Sequence, residues 1–149
     1  MLTQYRLTLK PDHACRPRPE WAYRMYAVLL EQVPESFGAA AHRDQITPVS
    51  QHLTLDKGSL CWIVTLLGEN CEALLSNALD HLRCLRLERD GISLEVQERE
   101  RRIVAAPDDF LDMAAQESGL HTLRFQTATA FKSRGHYRNL PTTHLLIQS

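Results

Sequence analysis

The sequence is poor in glycine and lacks the cysteine spacing of metal-binding proteins. Only six of its 149 residues are glycine, and they form neither a phosphate-cradling loop nor a nucleophile elbow. No C-x-x-C pair and no H-x-x-x-H spacing occurs, so we expect no metal site and no cofactor. The four cysteines are predicted to be reduced thiols, most of them buried: Cys15, Cys61, Cys71 and Cys84.

Long apolar segments are also missing. The longest apolar run, Leu60 to Leu67, is less than half of the roughly 20 residues that a membrane-spanning helix needs. The chain opens directly on an alternating pattern rather than on a secretory leader, so we expect a cytoplasmic protein. A hydrophobic fraction of 44% and a charged fraction of 23% are typical of a globular domain that can bury a core.

Acidic residues are absent from residues 118–149. Residues 1–117 hold all 18 acids and 13 of the 17 lysines and arginines. The remaining cations and the histidines beside them lie in the last segment: Arg124, Lys132, Arg134, Arg138, His121, His136 and His144. This asymmetry indicates either a local surface for phosphate or a solvated basic tail, and charge alone does not separate the two.

The hydrophobic pattern predicts alternating strands and helices. Tyr5, Leu7 and Leu9 alternate as in a half-buried strand, and Glu20 opens a helix. The apolar stripe of that helix repeats at helical spacing: Ala22, Tyr26, Leu29, Leu30, Val33 and Phe37. Two strands follow, at 49–55 and 60–67, with Leu53 and Leu55 expected to point inward.

The second half of the chain continues the alternation of strands and helices, without an internal sequence repeat. A second amphipathic helix covers residues 71–82, with a stripe that includes Leu74, Leu75 and Leu79. Around Arg89-Asp90-Gly91 the pattern predicts a hairpin or a fourth strand with a preceding extension. A solvated charge run at 98–102 and a short helix at 108–116 follow, and further strands are predicted at 123–127 and 145–147. The order βαββαβ predicts an α+β, ferredoxin-like fold of the RAMP/RRM-like kind. Its antiparallel sheet carries both helices on one face and leaves the other open.

Two motifs carry a resemblance to a known family. Residues 123–137 read LRFQTATAFKSRGHY, followed by Leu140-Pro141 and by the apolar end 145–149. Residues 41–44 read AHRD, followed by TPVS at 47–50. Both motifs resemble the N-terminal part of the CRISPR-associated endoribonucleases of the RAMP superfamily, which process repeat RNA. Ala128 stands where that family usually has proline.

The resemblance implies a metal-independent endoribonuclease that binds CRISPR repeat RNA and cleaves precursor CRISPR RNA by 2′-hydroxyl attack. It implies His42 as a catalytic residue, with a tyrosine of the first helix, Tyr26 or the neighbouring candidate Tyr23. Tyr26 also lies on the apolar stripe, so core packing is its alternative role. It implies RNA binding by five further residues: Arg43, Lys132, Arg134, His136 and Arg138. The expected partners are precursor CRISPR RNA, subunits of an interference complex and a second copy of the chain, with no membrane.

The chemistry of these residue types fits that activity. Metal-free RNA cleavage needs proton transfer near neutral pH, which histidine provides, and cations around the reacting phosphate. Phe131 and Tyr137 lie between the cations of the basic segment, and aromatic faces stack on single-stranded bases. One departure stands out, since no lysine follows His42 at the family's distance and the next one is Lys57. Arg43 could replace its charge, and His52 is either a second replacement or an ordinary exposed strand residue.

The expected domain limits are 1–130 for the ferredoxin-like domain and 131–149 for a basic loop and the start of a second domain absent from this chain. The isolated chain is then expected to be a weak or inactive nuclease. Two alternatives stay open. One is a non-catalytic RAMP subunit that binds guide RNA in an interference complex. The other is a ferredoxin-like ligand-binding or dimerisation domain.

Overall fold

The computed structural model describes residues 1–34, 48–116, 131–133 and 136–138. The chain divides into two compact units, Met1–Glu117 and Ser118–Ser149. The first unit contains strands and helices in the following order: β1 (Leu2–Pro11), α1 (Glu20–Leu30), β2 (Val49–Asp56), β3 (Ser59–Leu67), α2 (Glu69–His81), β4 (Cys84–Leu87), β5 (Ile92–Ala105) and α3 (Pro107–Gln116). No helix in these ranges is long and apolar enough to cross a membrane.

The strands of the first unit form one antiparallel sheet in the order β2-β3-β1-β5-β4. Strands β2, β3, β1 and β5 have the neighbour relations of the ferredoxin-like fold, and β4 is a short addition at the edge. The β2–β3 hairpin closes through Lys57 and Gly58, whose φ angles of 50° and 86° suit a two-residue turn that matches the twist of the strands. The predicted α+β ferredoxin-like fold is confirmed.

The core lies between one face of the sheet and the two long helices. Tyr5, Leu7 and Leu9 alternate with polar residues along β1 and are buried, as expected, and Trp62 on β3 is fully buried. The buried residues of both helices join this same cluster: Trp21, Met25, Leu29, Cys71, Leu75 and Leu79. Burial of these side chains, at about 1.5–3 kcal/mol for each large one, stabilises the packing of both helices on one face.

The buried face of each helix differs in detail from the predicted stripe. On α1 the innermost residues are Trp21, Met25 and Leu29, while Tyr26 lies at the margin of the core and is half-buried. On α2, Leu74 is 38% exposed. The helix stripes differ from the prediction because each helix carries apolar residues on more than one face. On β2, Leu55 lies on the same face as Leu53, as expected, but is 63% exposed rather than buried.

Residues 98–102 form the middle of β5, where they pair with Gln4 to Thr8 of β1. Glu98 and Glu100 are exposed, as expected of a solvated charge run. Arg101 instead lies on the helix side, where its Nη2 donates to the carboxylate of the buried Glu72 at 2.7 Å. The Glu72 carboxylate also accepts from the hydroxyl of Thr3 at 3.0 Å. Arg101 of β5 therefore links the sheet to α2 through the carboxylate of Glu72.

A second buried carboxylate links the start of α1 to the turn between β4 and β5. The side chain of Asp90, in the turn between β4 and β5, is 6% exposed and pairs with Arg24 and, at 3.6 Å, with Arg18. The hydrogen bond from Arg24 holds the pKa of Asp90 below its usual range, with a smaller contribution from Trp21. The α1 N-terminus is thereby tied to the β4–β5 hairpin.

In the unit Ser118–Ser149 the structure describes one antiparallel hairpin, made of β6 (Phe131–Ser133) and β7 (His136–Arg138). The expected loop after Phe131 is therefore a hairpin at these six positions. The strands predicted around 123–127 and 145–147 lie outside the described residues. The expected domain limits, 1–130 and 131–149, stay a prediction.

Candidate functional site

Tyr26 is the one predicted catalytic residue whose side chain the structure describes. It lies on α1 at the margin of the core, and its hydroxyl is buried without a hydrogen-bond partner in the described part of the chain. Burial raises the pKa of the Tyr26 phenol, and the nearby Cys71 raises it further. The group is therefore protonated at neutral pH, so it can donate a hydrogen bond but is a poor base.

Cys71 joins Tyr26 to the start of β2. It lies in the first turn of α2, and its thiol donates to the carbonyl oxygen of Pro48 at 3.4 Å. Desolvation raises the pKa of the thiol to about 11, so Cys71 is a protonated thiol and not a nucleophile at neutral pH. The Pro48 carbonyl also accepts the amide of Leu67 at 2.8 Å. Pro48 is thus held by both β3 and α2.

Pro48 lies six residues after His42 in the sequence, so its contacts bear on the predicted catalytic segment. His42 and Arg43 lie outside the described residues, between the end of α1 and Pro48. The described chain resumes at Pro48, beside the Cys71 thiol that also neighbours the Tyr26 hydroxyl. Tyr26 and Pro48, six positions after His42 in the sequence, therefore share one end of the first unit.

Three of the five predicted RNA-binding residues lie in the β6–β7 hairpin. Lys132 is on β6 opposite Tyr137, and His136 on β7 is opposite Ser133. Arg138 pairs with Phe131 at the open end of the hairpin, and Arg134 lies outside the described residues. Three of the predicted cationic positions thus belong to a single hairpin, and all of them are in the second unit.

The open face of the sheet in the first unit is polar and its arginines are engaged. Arg6 pairs with Asp56 at 2.6 Å, and Arg102 donates to the amide oxygen of Gln4 at 3.0 Å. A shallow depression of about 270 Å³ lies between them, lined by Gln4, Arg6, Ile63, Glu100 and Arg102. Acids and bases alternate there, and none of the described residues that line the depression is aromatic, so they do not provide the stacking platform typical of single-strand binding.

Sequence reasoning missed Cys71 as a neighbour of Tyr26. The two residues are far apart in the chain, and only the packing of α1 beside α2 brings them together. The cysteines divide evenly in exposure, since Cys61 and Cys71 are buried, as predicted, whereas Cys15 and Cys84 are exposed. None of the four forms a disulfide in the structure.

Comparison with known proteins gives one informative match. The chain is 27% identical over 140 residues to the CRISPR-associated endoribonuclease Cas6 of Streptococcus thermophilus. The match covers 93% of this chain and 56% of that protein, so the chain spans about half the length of the relative. No family model matches. Along nearly its whole length, this ferredoxin-like chain is similar to a CRISPR-associated endoribonuclease.

Proposed function

We propose that this chain supplies a ferredoxin-like domain of an endoribonuclease that cleaves precursor CRISPR RNA at its repeats. The observation that supports it is the similarity to a CRISPR-associated endoribonuclease over 140 residues, on a chain whose fold has the matching class. The two sequence motifs, around His42 and around Lys132, fall within the same chain in the order that the family shows.

The proposed reaction needs no metal. The 2′-hydroxyl loses its proton, its oxygen attacks the adjacent phosphorus, and the bond from phosphorus to the 5′-oxygen breaks. The leaving 5′-oxygen takes a proton, so the products carry a 2′,3′-cyclic phosphate and a 5′-hydroxyl. His42 serves as the general acid or base, because its ordinary pKa lies near neutrality. Tyr26, protonated at neutral pH, is suited to donate a hydrogen bond to the reacting phosphate.

The test is a cleavage assay of the full-length protein on a repeat RNA with EDTA present. We expect products with a cyclic phosphate, and no product from an RNA carrying a 2′-deoxy sugar at the cleavage site. Cleavage that stops on adding EDTA would contradict the metal-free mechanism. Cleavage of the 2′-deoxy substrate would contradict attack by the 2′-hydroxyl.

The alternative of a guide-RNA-binding subunit is favoured by one observation. The family's lysine after His42 is missing, and the next lysine, Lys57, lies in the β2–β3 turn. Arginine at position 43 supplies charge but differs from lysine in shape and hydration. Tight binding of the repeat by a protein that leaves it intact would support this alternative.

The basic hairpin is proposed to bind RNA phosphates. Replacing Lys132 and Arg134 by alanine should weaken repeat-RNA binding whatever the RNA sequence. It should also flatten the dependence of log K on log salt by about 0.7 for each single-strand phosphate that is no longer neutralised by a cation. The measurement is a filter-binding titration over several salt concentrations.

A matched control removes two cations from the first unit, as Lys10→Ala with Arg86→Ala, both exposed. Equal losses of affinity in the two double variants would show that only net charge matters. An unchanged affinity and salt slope in the hairpin variant would remove this segment from the phosphate site.

The variant Tyr26→Phe tests whether Tyr26 acts in cleavage through its hydroxyl or only packs against the core. Because the hydroxyl has no partner in the described ranges, its removal should change the free energy of unfolding by less than about 1 kcal/mol. A hydrogen bond to a charged transition state is worth about 1.5–3 kcal/mol, so cleavage should slow by about 10- to 100-fold. Tyr23→Phe, on the same helix but 71% exposed, tests the other tyrosine that the family position allows. An unchanged cleavage rate in Tyr26→Phe would assign the residue to packing alone.

A further inference from the structure

Strand β2 forms an outer edge of the sheet and carries unpaired backbone groups. In the described ranges it pairs with β3 alone. The amide of Leu67 donates to the carbonyl of Pro48, so the residues of β2 that hydrogen-bond to β3 are the even-numbered ones. The backbone N–H and C=O groups of four residues therefore point away from the sheet: Val49, Gln51, Leu53 and Leu55.

The two edges of this sheet differ in how they are protected. The β4 edge is four residues long and carries Arg86, paired with Glu88 at 3.1 Å. The β2 edge is eight residues long, pairs with β3 without a bulge, has no proline, and bears a formal charge only at Asp56, its last residue. Short length and charge are the devices that stop edges from pairing, and β2 has neither along most of its length.

We propose that β2 pairs antiparallel with β2 of a second copy of this chain, so that two five-stranded sheets become continuous. The register is set by the backbone. Placing His52 opposite His52 of the partner subunit aligns Gln51 with Leu53 of the partner subunit and Val49 with Leu55 of the partner subunit. This register pairs the outward backbone groups of all four residues. A register shifted by two residues, with Leu53 opposite Leu53 of the partner subunit, leaves Val49 without a partner residue on β2.

The side chains suit the same register. Leu55 is 63% exposed on the helix side of the sheet, and the pairing covers it with Val49 of the partner subunit. On the open face Ser50 meets Thr54, and Asp56 meets Pro48, which carries no charge. No two like charges stand opposite each other at neutral pH, so a second copy is a better occupant than a basic or acidic peptide.

The association is measured by sedimentation equilibrium of the full chain, where we expect a dimer whose population rises with protein concentration. Leu55→Lys should raise the dissociation constant about tenfold or more, because it removes apolar burial and adds a charge at the edge. Leu67→Lys, an equally drastic change at a 51% exposed position on β3, should leave the dimer intact.

Amide hydrogen exchange identifies the interface within that dimer. The amides of Gln51, Leu53 and Leu55 should exchange fast in dilute protein and slowly at high concentration, whereas those of His52 and Thr54 should be protected at both. Protection of the odd-numbered amides at every concentration would mean that another segment of the same chain covers this edge, and would overturn the proposal. A wild-type monomer at all concentrations, or a dimer unaffected by Leu55→Lys, would overturn it too.

Discussion

Replacing His42 by alanine in the full-length protein is expected to slow repeat-RNA cleavage by about 10²- to 10⁴-fold, the usual contribution of general acid–base catalysis. Binding should change little, because a neutral histidine adds little to the attraction of phosphates. The measurement is single-turnover cleavage with EDTA present, alongside a binding titration. In the wild type the rate should vary with pH around the histidine pKa of about 6.5, and the variant should lose that dependence.

His81→Ala is a matched control for this experiment. His81 is an exposed histidine at the end of α2, and its Nδ1 lies 2.8 Å from the Asn77 carbonyl oxygen. We expect it to cleave at the wild-type rate. A His42→Ala protein that also cleaves at the wild-type rate would end the catalytic assignment. If the wild type binds the repeat tightly and leaves it intact, the guide-RNA-binding subunit becomes the better hypothesis.

Much of the fold could be predicted because hydrophobic periodicity determines element type. The alternation of Tyr5, Leu7 and Leu9 and the apolar run of β3 identify strands, and the order of strands and helices limits the topology. Which face of α1 is buried could not be predicted. Trp21 and Met25 repeat at the same spacing as Ala22 and Tyr26, so two apolar stripes compete, and the shape of the sheet beneath selects one.

Less of the candidate site could be predicted, because its contacts join distant parts of the chain. Nothing in the sequence near Tyr26 points to Cys71, and nothing near Pro48 shows that its carbonyl accepts from both Leu67 and Cys71. The basic hairpin was expected to be a loop because strands of three residues are too short to show a pattern among alternating cations and aromatics. Residue types suggest chemistry, whereas packing decides which groups meet.

The sequence pattern also failed to show that Arg101, in the charge run of β5, belongs to a buried ion pair. Removing Arg101 is expected to lower the stability of the fold strongly. Glu72 is 7% exposed, and its carboxylate is neutralised by Arg101 at 2.7 Å. Arg101 also lies over the ring of Tyr5, with 5.7 Å between the guanidinium carbon and the ring centroid. Arg101→Met keeps the aliphatic stem but leaves the Glu72 carboxylate with the Thr3 hydroxyl as its remaining hydrogen-bond donor in the described residues.

Breaking a buried ion pair by removing one partner costs about 3–5 kcal/mol, and the Arg101 side chain is 44% exposed, so solvent reduces the loss here. We expect Arg101→Met to lower the free energy of unfolding by about 2–3 kcal/mol in a urea titration. Arg102→Met is the matched control, since Arg102 is its exposed neighbour on β5 and bonds only to Gln4 in the described part of the chain. Its effect should stay within about 0.5 kcal/mol.

The double variant Glu72→Leu with Arg101→Met tests the cause of that loss. If an unpaired buried carboxylate is responsible, removing it as well should restore most of the stability, because an apolar pair of similar volume can replace a buried ion pair at little cost. A double variant no more stable than Arg101→Met would assign the loss to the packing of Arg101 on Tyr5 instead. Equal stability of Arg101→Met and Arg102→Met would show that the charges of β5 are solvated on both faces, as the sequence pattern alone had indicated.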